Sequence, residues 1–170
     1  MNYLNEIGYA YGITKTEDIV FREEYIKNCA MNYCGQYNKT WSCPPAILSF
    51  NSIKSKLHKY DQILVYSHFA TLEDNYDVLG MDKARKTIMN HSIRIKKALN
   101  KMNVSYMMLG AGSCEICKKC TYPDLPCRYP ELLINPMESL GIDVYDLSKK
   151  CNLEYYHGVH TVTYFCAILF

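Results

Sequence analysis

The 170-residue chain predicts an α/β (or α+β) fold: one compact domain over residues 1–170, a mixed sheet with a βαβ unit, and cysteine-rich loops at one sheet edge. Three observations carry that expectation. "QILVYSHFA" (62–70) and "VSYMMLGAG" (104–112) are rich in strand formers and flank a long helical pattern. Between them, apolar residues recur at Met81, Ala84, Ile88, Ile95, Leu99 and Met102, the spacing of an amphipathic helix. The tail "LEYYHGVHTVTYFCAIL" alternates from Thr161 to Phe165 and reads as two strands around His157–Gly158. Strand, helix and strand in that order predict parallel strands joined by a crossover.

The remaining elements follow from local signals. "DIVF" (17–20) reads as a short strand, and "REEYIKNC" (22–29) as a short helix that delivers Cys29. "NYCGQYNKTWSCPP" (32–45) is a loop, because Gly35, Asn38 and the Pro44–Pro45 pair interrupt regular structure. "NSIKSKLHKY" (51–60) predicts a helix capped by Asn51. "NPME" (135–138) supplies an N-cap Asn, a Pro at the first helical position and a Glu at the third, and Gly141 ends that turn. "DVYD" (143–146) starts a further short helix that runs to Cys151.

Composition narrows the function classes. Apolar residues are 49% and charged residues 21%, which argues against disorder. A net charge of +2 is too small to argue for nucleic acid or a membrane surface. The longest apolar-leaning run, "VTYFCAILF", is far short of a membrane span. No basic start followed by an apolar run and a cleavage site is visible, so the expectation is a soluble cytoplasmic protein. There is no phosphate-binding Gly-x₄-Gly-Lys-Ser/Thr loop, no dinucleotide fingerprint and no serine elbow.

The nine cysteines carry the chemistry. An odd count without a secretion signal is a poor start for a disulfide framework. Cys29, Cys34 and Cys43 form one group, and Cys114, Cys117, Cys120 and Cys127 form another; Cys151 and Cys166 stand apart. Three cysteines at x₂, x₂ spacing resemble the bacterial ferredoxin pattern for a [4Fe–4S] cluster, except that the last gap is six residues and not three. Zinc modules place a longer stretch between two Cys-x₂-Cys knuckles, and seven cysteines do not divide into four-ligand zinc sites. The expectation is therefore two [4Fe–4S] clusters, one on Cys114, Cys117, Cys120 and Cys127, the other on Cys29, Cys34 and Cys43. A structural zinc site is the alternative.

The first group has three evident ligands. Either one iron stays open as a Lewis acid, or Cys166, Cys151, His157 or His160 completes the set. Trp41 and Tyr37 stand in the same loop as shields against water, or as ordinary packing. His68, at the end of a predicted strand, and Glu115, between two cysteines, are candidate proton carriers, and Arg128 is a candidate counter-charge.

"YCGQYNKTWSCPP" together with "GSCEICKKCTYPDLPCRYPELLINPMESLGIDVYDL" resembles the predicted metal-binding family known as domain of unknown function 2284. Both motifs match in order, so the resemblance covers nearly the whole chain. It implies a small cytoplasmic, cysteine-rich metal protein and supplies no reaction. It marks Cys34, Cys43, Cys114, Cys117, Cys120 and Cys127, with Cys29 joined to the first motif. The functional expectation is redox: electron transfer, or small-substrate chemistry of a reductase or sulfur-removing lyase at an open iron. The partner is then a redox protein or a small molecule, with no nucleic acid and no membrane. The opposing expectation is a zinc-binding interaction module without redox activity.

Overall fold

A computed structural model describes residues 2–170. Five α-helices and a five-stranded mixed sheet make an α/β architecture. The helices are α1 (Asn2–Glu6), α2 (Glu23–Cys29), α3 (Phe50–Leu57), α4 (Val78–Asn100) and α5 (Val144–Lys150). The strands are β1 (Ala10–Lys15), β2 (Gln62–Thr71), β3 (Met107–Gly110), β4 (Asn135–Pro136) and β5 (Thr161–Leu169). Short 3₁₀ turns stand at Thr16–Asp18, Pro130–Leu132 and Glu138–Leu140. Among the described residues no helix is long and apolar enough to cross a membrane.

The sheet order is β1-β2-β5-β3-β4. β2 and β3 both run antiparallel to β5, so they are parallel to each other, as the βαβ pattern requires. They are not neighbours, because β5 lies between them. Side chains alternate across the sheet with period two. Ile63, Val65, Phe165, Ala167 and Leu109 face the core under α3 and α5. Leu64, Tyr66, Cys166 and Met108 face the core under α4. α4 buries Ala84, Ile88, Met89 and Ser92 against that second face. Full burial of each large apolar side chain, such as Leu57 or Ile88, contributes roughly 1.5–3 kcal/mol.

Several expectations need correction. The stretch 17–20 is not a strand; β1 precedes it, at Ala10–Lys15. β1 is an edge strand with no fully buried residue, so it carries no apolar period to read. The tail forms one strand, not two, because Gly158 (φ 102°) and His160 (φ 55°) take left-handed backbone that a strand does not accept. The third helix follows Ser49 and starts at Phe50, so Asn51 is not its cap. Asn135–Pro136 pairs with β3 in parallel and does not cap a helix; Pro136 is tolerated because β4 is an edge. Gly141 does end the following turn, in the left-handed conformation (φ 76°).

Candidate metal centre

β3 ends at Gly110, and the chain leaves the sheet through Ala111–Ser113 into the second cysteine group. Gly112 takes φ 73°, and a Cβ there would lie 3.0 Å from the Cδ of Arg85. Glycine thus lets the loop turn tightly against α4. Arg85 then fixes the loop: its guanidinium donates to Glu115 Oε1 and to Asp82 Oδ1, both at 2.7 Å. Its side chain is only 15% exposed. Burial works against its charge, but Glu115 and Asp82 outweigh that cost and raise its pKa.

The loop also braces itself. Thr121 Oγ1 donates to the Pro126 carbonyl, and Arg128 donates to the Lys119 carbonyl, at 2.9 Å each. All four thiols are half-buried, and all four border one cleft of about 690 Å³. The cleft's charged lining is otherwise cationic: Lys39, Lys86, Lys118, Lys119 and Arg128 against the single carboxylate of Glu115. Burial pushes the Cys114 thiol up; a backbone hydrogen bond at Ile116 pulls it down, and the neighbouring Cys127, Cys117 and Cys120 raise it further.

The first group sits on other elements. Cys29 is the last residue of α2, whose start is tied down by Arg22 Nε donating to Asp143 Oδ2 at 2.7 Å. Its loop turns through left-handed Asn32 (φ 56°), Gly35 (φ 71°) and Asn38 (φ 57°), residue types that tolerate that backbone. Cys34 is exposed, Cys29 half-buried and Cys43 buried. Burial pushes the Cys29 thiol up, and the nearby Cys43, Cys34 and Glu138 add to the shift.

One residue joins the two groups. Ser42 is fully buried; its Oγ accepts from the Cys114 backbone N–H at 2.9 Å and lies 3.6 Å from the Cys43 sulfur. Its carbonyl accepts from Asn135 Nδ2 at 3.1 Å. Trp41 crosses the same seam. It lines the second cleft, stands edge-on to Tyr122 at 4.9 Å and donates to the Leu125 carbonyl. It therefore covers the second group, not the first.

The proposed fourth ligands of the first group lie elsewhere. Cys166 is fully buried under α4 beside Met89, and burial pushes its thiol up to about 12. Cys151 caps the C-terminus of α5 inside the other core, with its thiol raised to about 11 by burial. His157 stacks on Phe69 at 4.2 Å, and the His160 carbonyl accepts from the Leu72 N–H. His68 packs beside the Tyr9 ring at 5.1 Å and does not line the cleft. Glu115 borders the cleft and is paired with Arg85.

Among the described residues no three His, Cys, Asp or Glu side chains form a group that could hold a single metal ion. The cleft over the second group is much larger than an ion, since a water molecule's share of liquid volume is about 30 Å³. Its four thiols are the metal-binding side chains that border it, and its charged lining is otherwise mostly cationic. Sequence reasoning gave no role at the site to Lys39, Ser42, Arg85 or Asn135, which come from three separate segments: the 32–45 loop, α4 and β4.

The model of one protein family, described as "Predicted metal-binding protein (DUF2284)", matches residues 12–170. No curated protein and no solved structure matches.

Proposed function

The chain belongs to this family of predicted metal-binding proteins, and from that premise we propose that it is an iron–sulfur protein with a redox role. One observation carries the reading: Cys114, Cys117, Cys120 and Cys127 all border one cleft of about 690 Å³ with five cations around it. The x₂, x₂ spacing of Cys114, Cys117 and Cys120 follows a cluster-binding pattern and lacks the second, distant Cys-x₂-Cys knuckle of a zinc module. A [4Fe–4S] cluster supplies one-electron chemistry when bound.

The chain's own residues have definable tasks there. The four cysteines hold the cluster. Lys39, Lys86, Lys118, Lys119 and Arg128 offset its negative charge, and less net negative charge favours the reduced state. Trp41 and Tyr122 cover one side of the cleft and limit water. Cys29, Cys34 and Cys43 are the ligand set of a second cluster. That set is supported by its order in the chain: Cys29 ends α2, and the loop that follows carries Cys34 and Cys43. With Cys151 and Cys166 committed to the cores, one coordination position there remains for a small molecule.

The test is protein purified without air, analysed for visible absorption, iron and acid-labile sulfide. The expected result is a brown protein whose broad absorption bleaches with dithionite. A colourless protein with stoichiometric zinc and no sulfide overturns the reading.

A further inference from the structure

The chain's charge is segregated. Residues 81–130 carry ten lysines and arginines against three carboxylates, while the rest of the chain carries nine against fourteen. A net charge of +2 hides this division. Much of the excess lies on one line of α4. Leu79, Lys83, Lys86, Asn90, Arg94, Lys97 and Lys101 follow one another at intervals of three or four residues, so they form one stripe along the helix. All seven are exposed. The opposite side of α4 is packed on the sheet through Ala84, Ile88, Met89 and Ser92.

Among the described residues Lys83, Arg94, Lys97 and Lys101 take part in no ion pair, whereas Lys86 pairs with Asp82 at 2.6 Å. The stripe's cations, from Lys83 to Lys101, thus form a largely unneutralised surface about 27 Å long, from the rise of a helix. It also reaches the thiols: Lys86 belongs both to the stripe and to the lining of the cysteine cleft. Lys118, Lys119 and Arg128 extend the positive surface around the cleft.

We propose that this stripe and the adjoining cleft rim are the docking surface for a small acidic electron-carrier protein. Charge complementarity selects the partner, and the position of Lys86 brings that partner over the thiols. A protein fits better than a nucleic acid for a structural reason. The stripe begins at Leu79, 85% exposed, beside exposed Val78 and Tyr76. Protein interfaces pair such apolar anchors with a charged rim. Between Lys83 and Lys101 the stripe offers no aromatic ring on which bases would stack. The identity of the partner as an electron carrier rests on the iron–sulfur reading above; the docking surface itself does not.

The experiment uses the full chain, purified without air, and a plant-type ferredoxin as the acidic probe. Binding is read by fluorescence anisotropy at low ionic strength and at about 0.15 M. The wild-type chain is expected to bind ferredoxin and to weaken steeply with salt. The Lys83→Glu/Arg94→Glu/Lys97→Glu variant is expected to bind at least tenfold more weakly, with an unchanged melting temperature and unchanged iron and sulfide. Leu79→Ser is expected to weaken binding several-fold while keeping the salt dependence. No binding of ferredoxin by the wild type overturns the proposal. So does equal binding by the charge-reversed variant, or tighter binding of random-sequence duplex DNA or of a basic cytochrome c. Iron and sulfide measured on the same samples separate the two readings. Full cluster content without ferredoxin binding removes only the docking surface. Charge-dependent ferredoxin binding by a chain without sulfide keeps the surface and removes the iron–sulfur reading.

Discussion

At the end of α2 and in the loop that follows, the three thiols grade from exposed (Cys34) through half-buried (Cys29) to buried (Cys43), whereas after β3 all four thiols are half-buried around one cleft. The first loop turns through left-handed Asn32, Gly35 and Asn38, and its far end, Asn38–Ser42, is bonded to the second loop and to Asn135. The second is clamped from outside: by Arg85 of α4 on Glu115, by Ser42 on the Cys114 N–H, and by Trp41 on the Leu125 carbonyl. Both loops have cysteines close in sequence, but only the clamped one presents all of its sulfurs to a single space. Short spacing makes thiols neighbours in sequence; anchors from distant segments hold the second loop around one cleft.

The largest effect is expected from removing a sulfur. Cys114→Ala should abolish the cleft's cluster, read as iron and acid-labile sulfide per chain, while Cys34→Ala should leave that share intact. If Cys34→Ala removes as much, the two loops act as one unit and the contrast between them fails.

Next is Arg85→Ala, which frees Glu115 and Asp82 together. Loss of such a supporting contact costs about 10–100-fold in metal affinity. Competition with a chelator should show that loss at the cleft and none at the first group. Arg85→Lys should fall between, since an ammonium keeps the charge but lacks the rigid planar guanidinium whose Nη2 contacts both carboxylates.

Ser42→Ala tests the seam. It leaves the Cys114 N–H without its acceptor, at a cost of about 1–3 kcal/mol in denaturant unfolding. Because Ser42 also touches Cys43, metal content should fall at both groups and not at one.

The smallest effect concerns the anchor of α2. Burial by itself raises the Asp143 pKa, but hydrogen bonds from Arg22 and from the Asp146 N–H outweigh it and hold the carboxylate below its usual range. The ionised form is therefore favoured by folding. That contribution is complete above the unfolded value near 4 and is lost as pH falls through the lower folded value. Asp143→Asn should lower stability at neutral pH by about 1 kcal/mol or less, since Arg22 is half exposed to solvent. Its thermal unfolding should also lose less on acidification than the wild type's. Metal at the first group, which α2 carries through Cys29, should weaken before metal at the cleft.

Much of this was legible in the chain because it depends on near neighbours. The helical period fixed α4, whose cap Asp77 accepts from the Gly80 N–H as a helix start requires. β2 was readable because residues 63–67 are buried on both faces, and the x₂, x₂ spacing of Cys114, Cys117 and Cys120 marked them as one candidate ligand group. β1 was not readable, since an edge strand needs no apolar pattern, and Asn135–Pro136 imitated a helix start while pairing with β3. The placement of Ser42 between the two cysteine groups, and of Arg85 behind one of them, was decided only by tertiary structure. Ser42 lies 72 residues from the N–H it accepts, and Arg85 lies 30 from its carboxylate. Local sequence sets the torsions and the periods, because those act over a turn or two of chain. Which segments meet is set by how the whole chain buries its apolar faces, and no short stretch carries that information.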